Sequence, residues 1–309
     1  MKKKILAIIA CVITCTILSM LLSCCGVYIS GIGKNSLAEV FDIWKKESDP
    51  DIAIFDALEN SVIINGNKIY LDEALKDHYE NTWGKLILCI RDNKIYGIHT
   101  KNYTKTKYTA EIYSIDIKTN EVDIVYTAEF GPGESGGPRK YLTYESVYYL
   151  DGEIVMCDGY RMMSYRIDTG KAEELDPDDF SLPQKEYSVE RLYEESEYKK
   201  LNYKTIKIVC ETEEREITLD YMAQRHPYVK ELVDMGMLKN PFEEKDPLEI
   251  FFGSSYVINE KIYLVCTVLD NGGESNGLVF SYDYKKDQFS YIYQVFSIEH
   301  PDIVIIPVE

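Results

Sequence analysis

The residues most suggestive of chemistry lie in the stretch Gly131 to Lys140, where Ser135 stands among glycines and prolines. A catalytic serine needs a general base beside its hydroxyl and backbone N–H groups that stabilise the oxyanion. Only two histidines, His78 and His99, precede Ser135 in the chain. The first question is therefore whether these residues form a hydrolytic site.

The six residues from Gly133 to Pro138 read GESGGP, and they resemble the GDSGGP signature of trypsin-like serine proteases. That family requires a histidine, an aspartate and the serine in this chain order. Neither His78 nor His99 lies in the A-A-H-C setting of the family, and Glu134 replaces its aspartate. The letters also fit a G-x-S-x-G elbow, but the strand-to-helix turn of that motif is lacking. We predict a connector between strands, without serine protease activity or any catalytic residue.

Cysteines and histidines are the next candidates for chemistry. Four cysteines follow the N-terminal segment: Cys89, Cys157, Cys210 and Cys266. Their wide spacing matches neither a small disulfide framework nor a zinc motif. Three of them, and His99, stand at equivalent positions of the repeat described below, so we expect packed, buried side chains. We predict no metal site and no cofactor.

The N-terminal residues indicate where in the cell the protein is located. Three lysines begin the chain, the run Ile5–Ser23 is uncharged, and Leu21–Cys24 reads LLSC. These features resemble a bacterial lipoprotein signal, in which the cysteine after the lipobox carries diacylglycerol and becomes the mature N-terminus. The resemblance implies a signal peptide over residues 1–23 and lipidation of Cys24. An uncleaved membrane helix is the alternative, and both place the rest of the chain at the extracellular face of a bacterial cytoplasmic membrane.

Charge limits the possible partners. The formal net charge is −18, and residues 1–23 contribute three lysines and no acid. Such a surface repels nucleic acid and favours cations or basic partners, so we predict no nucleic-acid binding. The acidic run Glu173–Asp179 lacks the glycine and the spacing of a calcium loop, and we expect it to be a solvated face.

A repeat of about fifty-five residues organises the remainder. Four segments share an apolar strand pattern, namely Lys94–His99, Glu153–Cys157, Thr205–Cys210 and Lys261–Cys266. Each is followed by a second recurring segment, here called a strand mark: Tyr113–Asp116, Tyr165–Asp168, Ile217–Asp220 and Phe280–Asp283. Three repeats also open with a strand and a two-residue turn containing Asn or Asp. In the third repeat, that opening strand must lie within residues 188–203. One unit is therefore a four-stranded antiparallel meander.

Units of this kind bury both faces only when they stack, and radial stacking gives a β-propeller. The sequence pattern D-G-x-I-Y followed by Y-x-I-D-x-x-T-G resembles the degenerate propeller repeats of secreted bacterial lipoproteins and of TolB-like proteins. We predict an all-β propeller of about five four-stranded blades over residues 51–309. An unrelated β-sandwich is the alternative. The strand at Ile303–Ile306 is expected to complete the first blade from the chain end.

Two helices interrupt this pattern. Ser36–Glu39 forms a capping box, and Trp44 belongs to its apolar stripe, so residues 24–50 should comprise the anchor, a linker and an amphipathic helix. We expect that stripe to dock on the propeller itself, although docking on a membrane partner is an alternative. A second helix is predicted from Pro227 to about Met235, with Gly236 as its stop, between the last two clear repeats.

Two functional classes remain open. The first is a non-catalytic, cell-surface binding module for an extracellular protein, peptide or glycan, with the insertion near Tyr228 shaping the site. The second is an extracellular hydrolase of cell-wall or polysaccharide substrates that uses carboxylates at the channel mouth. With 52 acidic residues, no carboxylate pair can be singled out.

Overall fold

The computed structural model describes residues 44–57, 59–71, 86–101, 108–131, 142, 146–158, 161–182, 186–194, 202–234, 248–270, 275–297 and 303–309. The first sheet contains β1 (Ile52–Asp56), β2 (Ser61–Ile64), β3 (Asn67–Tyr70) and, from the chain end, β19 (Ile303–Pro307). The second contains β4 (Leu86–Arg91), β5 (Lys94–Lys101), β6 (Tyr108–Asp116) and β7 (Val122–Phe130). The strand β4 is the strand expected to open the first clear repeat, and the two-residue turn Asp92–Asn93 follows it.

The third sheet contains β8 (Val147–Leu150), β9 (Glu153–Cys157), β10 (Met162–Arg166) and β11 (Lys171–Leu175). The fourth has three described strands, β12 (Ser188–Glu194), β13 (Asn202–Val209) and β14 (Glu214–Ile217). The fifth contains β15 (Leu248–Ile258), β16 (Lys261–Asp270), β17 (Ser275–Asp283) and β18 (Gln288–Ser297). All neighbouring strands within a sheet pair antiparallel.

Tight turns join the first and second strands of the second, third and fifth sheets. Their residues adopt positive φ in pairs: Asp92 and Asn93, Asp151 and Gly152, Asn259 and Glu260. Two successive positive φ values define the hairpin turn whose twist matches that of the flanking strands. The sequence signal for these hairpins is therefore confirmed.

The sheets surround a common axis as blades of a propeller. The first strands of neighbouring sheets contact one another, β19 with β4, β4 with β8, and β15 with β19. Buried side chains form clusters between the first and second, the second and third, the fourth and fifth, and the fifth and first sheets. This packing buries both faces of most blades, as the repeat required.

The chain end closes the ring. The strand β19 pairs with β1, and Ile90 of β4 forms a parallel bridge with Val308. The Glu309 N–H donates to the Ile90 carbonyl at 2.8 Å, and the Tyr149 hydroxyl donates to the Glu309 carboxylate at 2.6 Å. One blade is completed from both ends of the chain, as predicted, so β19 covers the edge of β1.

Three of the four isoleucines that mark the repeat occupy equivalent places. Ile95, Ile154 and Ile262 are each the buried second residue of a second strand. Ile206 is also buried, but it is the fifth residue of β13 and pairs with Ile217 and Arg191. The fourth sheet is therefore built differently from the other repeats.

The fourth sheet matches the second, third and fourth strands of a complete blade. A connection over residues 195–201 joins β12 to β13, where first and second strands elsewhere are joined by two-residue turns. After β13 the Cys210 N–H donates to the Glu213 carbonyl at 3.0 Å. The Asp116 N–H donates to the Glu121 carbonyl at the same distance, after the third strand of the second sheet.

Strand direction supports the same assignment. First strands run parallel to each other, as the bridge between β4 and the chain end shows. Arg191 reaches the Gly253 carbonyl with its Nη1 at 3.4 Å, while Ser188 and Val257 line the same groove. Hence β12 runs opposite to β15, the first strand of its neighbour. The expectation that Thr205–Cys210 is a second strand is wrong, and among the described residues between β11 and β12 there is no strand to fill the first position.

Two helices follow the fourth sheet, α1 (Leu219–Ala223) and α2 (Pro227–Asp234). The start of α2 at Pro227 is confirmed. The interpretation of Ile217–Asp220 as a strand mark is wrong beyond Ile217, because the Thr218 side chain accepts from the Tyr221 N–H at 3.1 Å and begins α1. Met235 and Gly236 lie outside the described residues.

The N-terminal segment docks on the propeller at Trp44, as its apolar stripe predicted. The Trp44 ring is 5% exposed, stacks on Tyr228 of α2 and meets Tyr291 of β18 edge-on, each with centroids 5.2 Å apart. The capping box at Ser36–Glu39 lies outside the described residues. Among the described residues, no helix has the length and apolar character needed to cross a membrane.

Candidate functional site

The incomplete fourth sheet leaves a groove against the fifth sheet. Its cavity volume is about 590 Å³, within the range of pockets that bind ligands. Apolar side chains from both sheets and from the preceding connection form its walls, namely Leu182, Tyr187, Val189, Val209 and Val257. The groove thus lies at the start of β12, on the sheet for which the described residues provide no first strand.

Cys210 lies at one end of this groove, directly after β13. Its Sγ is 3.4 Å from the Glu213 carbonyl and 3.8 Å from the Tyr284 hydroxyl. The Thr212 backbone N–H stabilises the thiolate and lowers the pKa of the Cys210 thiol. The expectation of a buried, packed cysteine at this repeat position is therefore wrong, since Cys210 is half-buried and borders the groove. Cys157 is also half-buried, whereas Cys266 is buried as predicted.

Aromatic rings hold the base of the groove in place. Tyr187 is 2% exposed, and its ring centroid lies 5.0 Å from that of Tyr284. The guanidinium of Arg215 stacks over Tyr284 at 4.0 Å and donates to its carbonyl at 3.0 Å. The Tyr187 hydroxyl donates to the Glu186 carboxylate at 3.1 Å. A ligand would therefore meet a preformed surface on this side.

A single carboxylate ties this base to α1. Asp287 accepts from the Tyr221 hydroxyl at 2.5 Å, the Tyr282 hydroxyl at 2.7 Å and Arg225 Nε at 2.7 Å. Arg215 lies 3.4 Å from the same carboxylate. Burial alone would raise the pKa of Asp287, but these hydrogen bonds outweigh it and lower the pKa to about 2.

The rim of the groove is acidic. Glu186 and Glu211 line it and are exposed, and Glu190 is exposed on β12. Lys285 lies 3.4 Å from Glu186 and 2.8 Å from Glu260, so one cation is shared between two acids. The rim therefore keeps an excess of negative charge, in keeping with the charge of the whole chain.

Of Cys24 and the residues weighed from sequence for a serine protease site, only His99 lies among the described residues. Cys24, His78 and Ser135 lie outside the described residues, so the lipidation of Cys24 stays a prediction. His99 is 2% exposed on β5 and faces Glu111 across the sheet, as its packed position in the repeat predicts. Glu111 is buried and forms an ion pair with Lys101.

Carboxylates and metal ligands show no catalytic grouping in the part of the chain that the structure describes. No group of three or more His, Cys, Asp and Glu side chains there is arranged to hold a metal ion. Hydrogen bonds from backbone N–H groups lower the pKa of Asp116, and the ion pair with Lys286 lowers that of Asp283. These shifts are opposite to the raised pKa that a general acid needs.

The groove was not anticipated from the sequence, although a signal for it existed. The opening strand of the third repeat had no clear pattern in the polar stretch of residues 188–203. That weak repeat is the one whose sheet has no first strand among the described residues. An absent strand leaves no motif of its own, so only the irregular spacing of the marks points to it.

No protein-family model matches the chain, and no curated protein sequence matches it. Among solved structures, it is similar to the beta-propeller domain of the Trilobed protease from Pyrococcus furiosus, with 10% identity over 78% of this chain and 90% of that one, at a TM-score of 0.29. It is also similar to dipeptidyl peptidase 4 of Porphyromonas gingivalis, with 8% identity over 82% of this chain and 39% of that one, at a TM-score of 0.24. The propeller assignment here rests on the sheet topology and packing described above.

Proposed function

We propose that this protein is a non-catalytic binding module, held by a lipid on Cys24 at the extracellular face of the membrane, that takes a protein or peptide partner in the groove. The groove between the fourth and fifth sheets carries the proposal. It combines apolar walls, an acidic rim and a base fixed by Tyr187 and Tyr284. Such a surface recognises another chain by shape and charge.

Hydrolysis receives less support from the described residues. A pair of acids lies near a second cavity of about 360 Å³, between the first and fifth sheets. Asp49 there accepts from Lys261 at 2.9 Å and from the Tyr263 hydroxyl at 3.0 Å, and Lys261 also reaches Asp51. These contacts hold two carboxylates around a structural lysine, which is an ion-pair arrangement rather than an acid–base pair.

The test places a photoreactive amino acid at Ser188, an exposed position on the groove, in the full-length protein in its native membrane. A control carries it at Thr127, which is exposed on β7 of the second sheet. We expect a discrete crosslinked partner from position 188 that is absent at position 127. The same products at both positions, or none at position 188, would refute the proposal.

Deleting the helices would be a poorer test. Met222 of α1 and Val229 of α2 are buried in the core between the fourth and fifth sheets. Their removal would expose apolar surface and destabilise the propeller itself. The variant Ser188→Trp instead fills the groove while leaving that core intact. With the photoreactive amino acid moved to Ser255, which also lines the groove, Ser188→Trp should abolish the crosslink to the partner.

A further inference from the structure

One edge of β12 is open beside the groove. On one side β12 pairs with β13 from Ser188 to Glu194. On its other side no strand of the described chain pairs with it, and β15 packs against β12 without pairing, with Arg191 Nη1 3.4 Å from the Gly253 carbonyl. An unpaired strand edge presents a row of N–H and C=O groups that can pair with another chain.

The open edge and the groove meet at the start of β12. Its first residues, Ser188 and Val189, line the groove together with Ser255 and Val257 of β15, so the groove forms a wedge between these two strand segments. A strand added to a sheet lies about 4.8 Å from its neighbour. A short extended segment in this wedge would pair with β12 and occupy the position that first strands hold in the complete blades.

Side chains around the wedge select the segment by charge. Val189 and Val257 pack against the core between the two sheets, so they offer apolar contact to one face of an added strand. Glu186 and Glu211 stand exposed at the rim, and Glu190 is exposed on β12 itself. Because side chains alternate along a strand, apolar residues can face the valines while the residues between them face the acids.

Resting on the proposed function, we infer that the groove binds an extended peptide segment, alternating apolar and basic residues, by adding it to the open edge of β12. Backbone hydrogen bonds supply affinity that does not depend on sequence. The valines and the acidic rim supply the preference for apolar and basic side chains. Recognition of this type completes the fourth blade with a strand from the partner.

The test uses synthetic probes on the full-length protein in detergent. The first probe is a peptide of alternating valine and lysine about eight residues long. The second replaces lysine by glutamate, and the third carries N-methyl groups on alternate residues along one edge. Binding is measured by fluorescence anisotropy, by protection of Cys210 from alkylation and by hydrogen exchange of residues 188–194.

We expect the valine–lysine peptide to slow the alkylation of Cys210 and to protect the amides of β12. The glutamate peptide should bind about tenfold more weakly through repulsion at the rim. N-methylation should weaken binding about fivefold for each hydrogen bond that it removes. The variant Glu211→Lys should reverse part of the charge preference, whereas Glu129→Lys on β7, a matched exposed position, should leave it unchanged.

Each contrary result has its own meaning. If the peptide protects Cys210 but not β12, and N-methylation has no effect, strand addition is wrong while the groove remains a binding site. If no probe protects Cys210, the inference fails even where Ser188 crosslinks a partner, because that partner is then not an extended basic segment. If Ser188 crosslinks nothing, the proposed function itself fails.

Discussion

His226 shows how burial fixes the charge state of one residue. Its imidazole is 5% exposed, and its ring centroid lies 5.3 Å from Phe280 and 5.5 Å from Tyr228. Its Nδ1 has no hydrogen-bond partner among the described residues. Burial therefore lowers the pKa of His226 from 6.5 to about 4, so the ring is neutral in the folded protein at neutral pH.

We expect His226 to make stability depend on pH between its unfolded and folded pKa values. Above pH 6.5 both states are neutral at this residue, and it has no effect. As the pH falls from 6.5 toward 4, the unfolded state binds the proton first, so stability drops by about 2 to 3 kcal/mol. Urea unfolding at several pH values measures this drop.

The variant His226→Phe provides the comparison, since a phenyl ring suits the aromatic cluster and cannot titrate. The free energy of unfolding of this variant should fall between pH 6.5 and pH 4 by about 2 to 3 kcal/mol less than that of the wild type. Equal losses in the two proteins would show that His226 is protonated with ordinary affinity in the folded state. No local sequence pattern predicts the burial of His226, because that burial arises from the packing of the helical insertion.

At the scale of elements, Asp287 joins the turn before β18 to α1 and to the end of the fourth sheet. It adopts a positive φ of 53°, which asparagine also tolerates, so Asp287→Asn removes the charge and leaves the turn. The side chain is about one-third exposed, and we expect a loss of about 1 to 2 kcal/mol in the free energy of unfolding. Urea unfolding at pH 7 measures it.

The pH dependence separates the charge from the packing. The pKa of Asp287 is lowered from 3.8 to about 2, so its contribution is complete above pH 3.8 and is lost as the pH falls toward 2. The difference between the wild type and Asp287→Asn should therefore shrink over that range. If the difference in the free energy of unfolding between the two proteins stays constant from pH 5 to pH 2, Asp287 stabilises the protein through its packing and not through its charge.

Elements with a strong local signal were predictable from sequence. Hairpins such as β8 with β9 follow from the pair Asp151 and Gly152, whose positive φ only a few residue types adopt readily. The helix α2 follows from Pro227. In contrast, α1 begins where Ile217–Asp220 imitates a strand mark, and β13 was assigned to the wrong position because one apolar strand looks like another. Tertiary packing decides such cases.

At the scale of the whole molecule, we propose that a lipid on Cys24 attaches the protein to the membrane. The segment that follows Cys24 leads to Trp44, which packs on the propeller. The variant Cys24→Ala should release the protein from the membrane fraction or block its processing, because the thioether site is lost. Cys25→Ala is the matched control and should remain anchored. Detergent phase partition and mass spectrometry measure the outcome. A Cys24→Ala protein that stays anchored, with an unchanged mass apart from the substitution, would instead indicate an uncleaved membrane helix.

The stacked arrangement of the sheets was predictable from the sequence, because the repeat is visible there. The pairing of β19 with β1 was predictable from the apolar residues at the chain end. The three-stranded form of the fourth sheet, as far as the structure describes it, was not predictable, because stacking requires only that each unit find neighbours and not that every unit be complete. The gap is tolerated where Tyr187, Val189 and Phe252 still pack into the core between the fourth and fifth sheets. Function is therefore expected at the one irregular blade, where the repeat leaves backbone groups and apolar walls available.

Hydrogen exchange of the free protein, resolved to single amides, tests that claim most directly. The strand β9 is paired on both sides, so its amides should all exchange slowly. The strand β12 is paired on one side, so about half of its amides, those on its unpaired edge, should exchange rapidly. Slow exchange at every amide of β12, matching β9, would mean that a first strand is present in the fourth blade and that the groove is closed.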